Sequence, residues 1–109
     1  MRRVIIDECL PRKVKNLLSG VEALTVPEAG YAGTKNGALL AKIAGNFKVF
    51  VTIDANLEYQ QNLTGLDFGV VVIHAKSNRF GDIEPMKDEL GAAMSSVEAG
   101  QIIHVPSQP

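Results

Sequence analysis

The sequence predicts an α/β fold: a three-layer sandwich around a mostly parallel five-stranded sheet. Three observations carry this. Five short apolar runs, rich in Val and Ile, recur along the 109 residues. Segments with apolar residues spaced three or four apart separate them. The central runs are apolar without alternation, as strands are when helices cover both faces of a sheet.

The elements follow in order. Val4-Ile5-Ile6 reads as a buried strand ending at Asp7-Glu8. Leu10, Val14, Leu17 and Leu18 recur at helical spacing, with Pro11 acceptable in the first turn and Gly20 as the stop. Ala23 to Val26 is a second strand, ended by Pro27. Glu28 to Gly37 is a Gly-rich, polar loop, in which Thr34 or Asn36 is expected to cap the next helix. Leu39, Leu40, Ile43 and Phe47 mark that helix, and Gly45-Asn46 ends it. Lys48 to Ile53 is the third strand, followed by a short helix through Leu57 and Tyr59 to Leu63. Gly69 to Ile73 is the fourth strand. Ile83, Met86, Leu90, Met94 and Val97 define one last helix, and Gln101 to Val105 is the fifth strand, stopped by Pro106. The Ser107-Gln108-Pro109 tail is expected to fray.

Composition narrows the function. With 46% apolar and 21% charged residues, the chain reads as one globular domain over residues 1–109, not as a disordered segment. A net charge of -1 excludes a histone-like polycation. Nucleic-acid binding then needs a local basic patch or bound metal ions. Basic side chains outnumber acidic ones over residues 1–54, and the reverse holds over 55–109. The last helix carries Asp82, Glu84, Asp88, Glu89 and Glu98, read as a solvated face. The lone Cys9 cannot form an internal disulfide, and with His74 and His104 it falls short of the usual structural zinc set. No apolar run is long enough for a signal peptide or a membrane span, which sets the chain in the cytoplasm with its thiol reduced.

In doubly wound sheets, ligands bind outside the carboxyl ends of the strands, near the switch in strand order. The sequence puts Asp7 and Glu8 at the end of the first strand and Asp54 at the end of the third. Lys76, Ser77, Asn78 and Arg79 follow the fourth. Three carboxylates on one rim repel each other unless something neutralises them. A hard cation such as Mg2+ or Mn2+, which prefers oxygen ligands, is the economical neutraliser. The bland alternative makes Asp7 and Asp54 helix caps. Gly30 to Gly37 is not a P-loop, because its Lys35 lacks the required spacing and the following Ser or Thr. Cys9, His74 and Asp54 form a conceivable thiol-based catalytic set, but a small buried thiol and a satisfied strand histidine are the commoner roles.

Two stretches carry a family resemblance. Ile-Ile-Asp7-Glu8-Cys9-Leu10-Pro11 resembles the opening of PIN-like domains of bacteria, related to the VapC-type toxin nucleases, where the run is typically Asp-Glu-Asn-Leu-Pro. Thr52-Ile53-Asp54-Ala55-Asn56-Leu57 resembles their Thr-x-Asp-x-(Asp/Asn)-(Phe/Leu) segment. Lys35-Asn36-Gly37, Tyr59 to Leu63 and Ser77-Asn78-Arg79 match one branch of the group, so the likeness spans roughly residues 3 to 105. The resemblance implies a metal-dependent endoribonuclease, a toxin paired with an antitoxin protein, with RNA as substrate and a homodimer among its assemblies. It implies Asp7, Asp54 and Glu8 as the catalytic and Mg2+- or Mn2+-holding set, and Lys35, Asn36, Asn56 and Arg79 as phosphate- or substrate-binding residues. Asn36 and Asn56 stand where many such domains carry acids. Because Asn holds a hard cation less strongly than a carboxylate, that departure points to a weaker or inactive site. The alternative readings are a catalytically weak module that binds nucleic acid or protein, and a phospho-receiver with Asp54 as acceptor. The receiver needs a Lys after the fifth strand, where this chain has Val105-Pro106-Ser107.

Overall fold

The structure, a computed structural model, describes residues 1–106; the expected fraying of the tail lies outside the described residues. Five strands form one sheet: β1 (Arg2–Ile6), β2 (Val21–Thr25), β3 (Val49–Thr52), β4 (Gly69–Ile73) and β5 (Ile102–Val105). Their order is β2-β1-β3-β4-β5, and every pairing is parallel, so the expected mostly parallel sheet is wholly parallel. Among the described residues, four α-helices accompany it: α1 (Asn36–Ile43), α2 (Leu57–Gln60), α3 (Phe80–Ile83) and α4 (Lys87–Ser96).

Unbroken aliphatic runs place β1, β3 and β4 at the centre, because alternate residues serve opposite faces. Val4, Ile6, Val49, Val51, Val71 and Ile73 pack with Val14, Leu17, Ile83, Leu90 and Met94. Ile5, Phe50, Val70 and Val72 pack with Leu39, Leu40, Ile43 and Leu57. The period of two thus sorts each strand between two apolar clusters, with α4 over one and α1 and α2 over the other.

Two helices end early, α1 at Ile43 rather than after Phe47 and α2 at Gln60 rather than Leu63, and three further local expectations change. The segment after β1 is a 3-10 helix over Arg12–Leu17, not an α-helix, although Val14 and Leu17 are buried as predicted. A 3-10 helix rises further per residue, which suits the short stretch of chain that must return along the sheet from β1 to β2. The single last helix is three pieces: α3, a 3-10 turn over Glu84–Met86, and α4. Pro85 explains the break, since it has no N–H to donate and its ring crowds the carbonyl four residues back. Ile83, Leu90, Met94 and Val97 are buried, while Met86 is only partly covered. Lastly, neither Thr34 nor Asn36 caps α1: the capping position is Lys35, and its side chain makes no capping hydrogen bond.

Two features fix the ends of the sheet. The Arg2 guanidinium donates to the carbonyls of Met94 and Val97 at 2.8 and 2.6 Å, satisfying the exposed end of α4 with a cation. At the start of β4, a Cβ on Gly69 would stand 2.8 Å from the Glu98 carbonyl oxygen and 2.6 Å from a Val97 methyl. Only a residue without a side chain lets the segment after α4 close this tightly over the strand.

Candidate functional site

The chain leaves β1 toward β2 on one side and returns to β3 on the other, so the strand order reverses between β1 and β3. The loops after these two strands diverge and leave a crevice at the carboxyl edge of the sheet. Asp7 and Asp54 stand there, one after each strand. The Asp7 amide donates to the Val51 carbonyl at 2.9 Å, which locks the end of β1 against β3.

Thr52, fully buried, joins the two acids. Its hydroxyl donates to Asp7 Oδ2 at 2.7 Å and accepts from the Asp54 amide at 3.0 Å. Both carboxylates are half-buried. Asp54 Oδ1 accepts from the Asn56 amide at 3.0 Å, an Asx turn that starts the approach to α2. The capping alternative therefore holds in part for Asp54. It does not hold for Asp7, because the first helix has Pro11 at its cap and no side-chain cap bond.

The other expected site residues spread along the same region. Glu8 is exposed, and its carboxylate accepts from the Gly33 amide at 3.1 Å, tying the β1 loop to the Gly-rich loop. Asn56 and Arg79 are exposed. Lys35 is exposed and Asn36 half-buried at the start of α1, and among the described residues no side-chain hydrogen bond joins either to Asp7, Thr52 or Asp54. A cleft of about 460 Å³ opens beside Asp7 and Glu8, with Arg12, Thr25 and Glu28 in its lining. A second, of about 600 Å³, is lined by Lys76, Ser77, Arg79, Gly81 and Asp82 and offers two cations after β4. Among the described residues, no three or more His, Cys, Asp or Glu side chains stand together as a metal-holding group. The structure thus joins Asp7 and Asp54 through Thr52 and leaves Glu8 on a different partner.

Cys9 lies beside this rim, its Sγ 3.7 Å from Thr52 Oγ1 and its carbonyl accepting from Asn78 Nδ2 at 3.1 Å. Burial pushes its thiol up from the ordinary value, the Asp7 charge adds to this, and hydrogen bonds to the Ile53 backbone and Thr52 oppose it. A protonated thiol is a poor nucleophile, so the thiol-based catalytic set loses its chemical basis.

Two arrangements escaped the sequence reading. Thr25 and Glu28 form a reciprocal box: Glu28 Oε1 accepts from the Thr25 amide at 2.9 Å, and Thr25 Oγ1 accepts from the Glu28 amide at 3.2 Å. The Thr-x-x-Glu spacing was visible as a capping box, but Pro27 masked it as loop. With Lys15 Nζ also 2.9 Å from the carboxylate, the Glu28 carboxyl is held down to about 2, first by the Thr25 amide and then by Lys15. The other arrangement is a His74–His104 pair, with Nε2 of one 2.7 Å from Nδ1 of the other. No sequence signal shows that β4 and β5 lie side by side, which is what brings the two rings together.

No helix among the described residues is long and apolar enough to cross a membrane. No family model, curated protein or solved structure matches the chain.

Proposed function

We propose that this chain is a PIN-like nuclease of three-layer α/β architecture, in which Asp7 and Asp54 serve the hydrolysis of RNA with Mg2+ or Mn2+. The observation that supports it best is the Thr52 hydroxyl at the β1/β3 crevice, which donates to the Asp7 carboxylate and accepts from the Asp54 backbone amide, so that the two acidic residues are held on one buried group. The donor set fits the ion: it is all oxygen, and Mg2+ keeps most of its waters and needs only one or two carboxylates. When bound, such an ion supplies an acidified water and positive charge against the leaving oxygen. The chain's own groups do the rest. Thr52 fixes the Asp7 carboxylate by donating to it, and the Asx turn fixes Asp54. Arg79 and Lys76, in the cleft after β4, are suited to hold phosphates. Lys35, Asn36 and Asn56 extend the substrate-facing surface. In this reading the partners to seek are an antitoxin protein and a second copy of the chain, in the cytoplasm.

A second reading has its own support. Glu8 is engaged with Gly33, and Asn stands at 36 and 56, so the rim offers two carboxylates rather than three or four. That favours a catalytically weak PIN-like module that binds nucleic acid or protein. The receiver reading gains from the strand order, which doubly wound proteins of that type share. It loses from Pro106 directly after β5, where the phosphoryl-binding Lys is needed.

RNA cleavage in Mn2+ separates the three. A nuclease cuts, and Asp7→Asn and Asp54→Asn each stop it while the apo protein stays folded. Glu8→Gln does less, because neighbouring residues at a strand end point apart. A binding module retains RNA or partner protein without cutting. A receiver instead takes up beryllium fluoride at Asp54.

A further inference from the structure

We infer that His74 and His104 form a binding site for a borderline divalent cation of the Zn2+ class, separate from the carboxylate rim. His74 directly follows β4, and its amide donates to the Val105 carbonyl at 2.7 Å, so its backbone is held beside β5. His104 lies within β5, paired in register with Val72. Both side chains fall on the sheet face that α2 covers, since Val72 and Ile102 belong to that apolar cluster and Ile73 and Ile103 to the other.

The ring geometry is specific. His74 Nε2 and His104 Nδ1 are 2.7 Å apart, while the ring centroids are 4.9 Å apart and tilted by 35°. The rings therefore meet nitrogen to nitrogen rather than stacking. On its far side, His104 Nε2 lies 3.1 Å from Glu58 Oε1 on α2. That contact sets the tautomer: with the N–H on Nε2 given to Glu58, the Nδ1 lone pair faces His74. A carboxylate that takes the outer N–H of an imidazole is the usual support behind a metal-bound histidine, because it fixes the ring and makes the inner nitrogen a better donor.

With His104 in that tautomer, the contact between the rings is an N–H donated by His74 Nε2 to His104 Nδ1. If His74 carries its proton on Nδ1 instead, both inner lone pairs face the gap, and no net proton is lost. Zinc–nitrogen bonds of about 2.0–2.1 Å at a tetrahedral angle need the nitrogens roughly 3.3 Å apart. The rings must then part by about half an ångström. His74 is exposed and His104 only partly covered, so the outer ring has room to swing. Imidazole donors suit Zn2+, Ni2+ and Cu2+, whereas Mg2+ and Mn2+ prefer the oxygen-rich rim. Two protein nitrogens leave the other positions to water.

Calorimetric titration of the whole chain with Zn2+ tests this. One saturable site is expected, lost in His74→Ala and in His104→Ala and weakened about 10- to 100-fold in Glu58→Gln. It should persist in Asp7→Asn, which keeps the result apart from the fate of the nuclease reading. Heteronuclear NMR should show the His74 and His104 ring signals shifting together on zinc addition. The proposal is overturned if no zinc binds, if binding survives removal of either imidazole in a protein whose melting is unchanged, or if Asp7→Asn abolishes it. Unchanged affinity in Glu58→Gln removes the carboxylate from the site.

Discussion

The carboxyl edge of this sheet has two unlike halves. Between β1 and β3, a buried Thr52 hydroxyl donates to the Asp7 carboxylate and accepts from the Asp54 amide, so an acidic rim rests on the most deeply packed strands. Between β4 and β5, at the sheet's margin, His74 and His104 meet nitrogen to nitrogen, with Glu58 behind them. The difference teaches where sheet position limits chemistry. The Thr52 hydroxyl holds the Asp7 carboxylate and the Asp54 backbone where β3 has a strand on each side. An edge strand leaves its imidazoles room to move. Under the two proposals, the oxygen donors of one half suit a hard cation and the imidazoles of the other a borderline one.

The largest expected effect would break the comparison at its functional end. Asp7→Asn and Asp54→Asn should each take RNA cleavage in Mn2+ to background, measured on labelled RNA. Stability without metal should hold or rise, because removing one of two neighbouring carboxylates relieves like-charge repulsion. If the variants melt well below wild type instead, the two acids serve structure and the β1/β3 half has no catalytic claim.

The next separates scaffold from sites. Leu90, on the inner face of α4, is fully buried, and Leu90→Ala should cost about 2–5 kcal/mol in chemical denaturation. The cation affinities of the folded fraction should not change at either half. A cost near zero would mean that α4 does not carry the core beneath the rim.

Thr52→Val sharpens the β1/β3 half alone. It keeps the shape but leaves the part-buried Asp54 amide without its acceptor and Asp7 without its donor. A loss of about 1–3 kcal/mol in unfolding free energy follows. Any Mn2+ affinity should fall about 10- to 100-fold, as for a lost partner behind a ligand. Thr52→Ser should restore both, and zinc binding at the histidines should be untouched.

The smallest effect lies at the far end of the rim, beside β2. The Glu28 carboxyl sits at about 2, below its ordinary 4.5. A depressed carboxylate stabilises the fold above its unfolded value, and that contribution is lost as pH falls from about 4.5 to about 2. Thermal melts should therefore show wild type and Glu28→Gln converging through this window. Parallel curves would mean that the ionised Glu28 carboxylate adds no pH-dependent stability.

Much of the fold was legible because strand runs such as Val4-Ile5-Ile6 and Val70-Val71-Val72 are too apolar and too short to be anything but covered strands. What failed was local. Pro85 sits inside a good helical stripe, and periodicity does not report that it splits the helix. Leu10 to Leu18 has helical spacing, which does not distinguish an α-helix from a 3-10 helix in a short crossover. At the site, Asp7 and Asp54 were legible as acids closing apolar runs. Thr52 was read only as part of a motif, because its bridging role needs the parallel register of β1 and β3. Glu8 was grouped with them by adjacency, whereas its carboxylate turns to Gly33. The His74–His104–Glu58 arrangement joins residues far apart in sequence, and only the neighbouring positions of β4, β5 and α2 reveal it.

The central claim is that Asp7 and Asp54 act as one oxygen-donor site. Calorimetric titration of Mn2+ into wild type, Asp7→Asn and Asp54→Asn tests it most directly. The account predicts one site in wild type that is lost in each single variant while both variants remain folded. Binding that survives in either variant, or no Mn2+ binding by the wild-type protein, would contradict it.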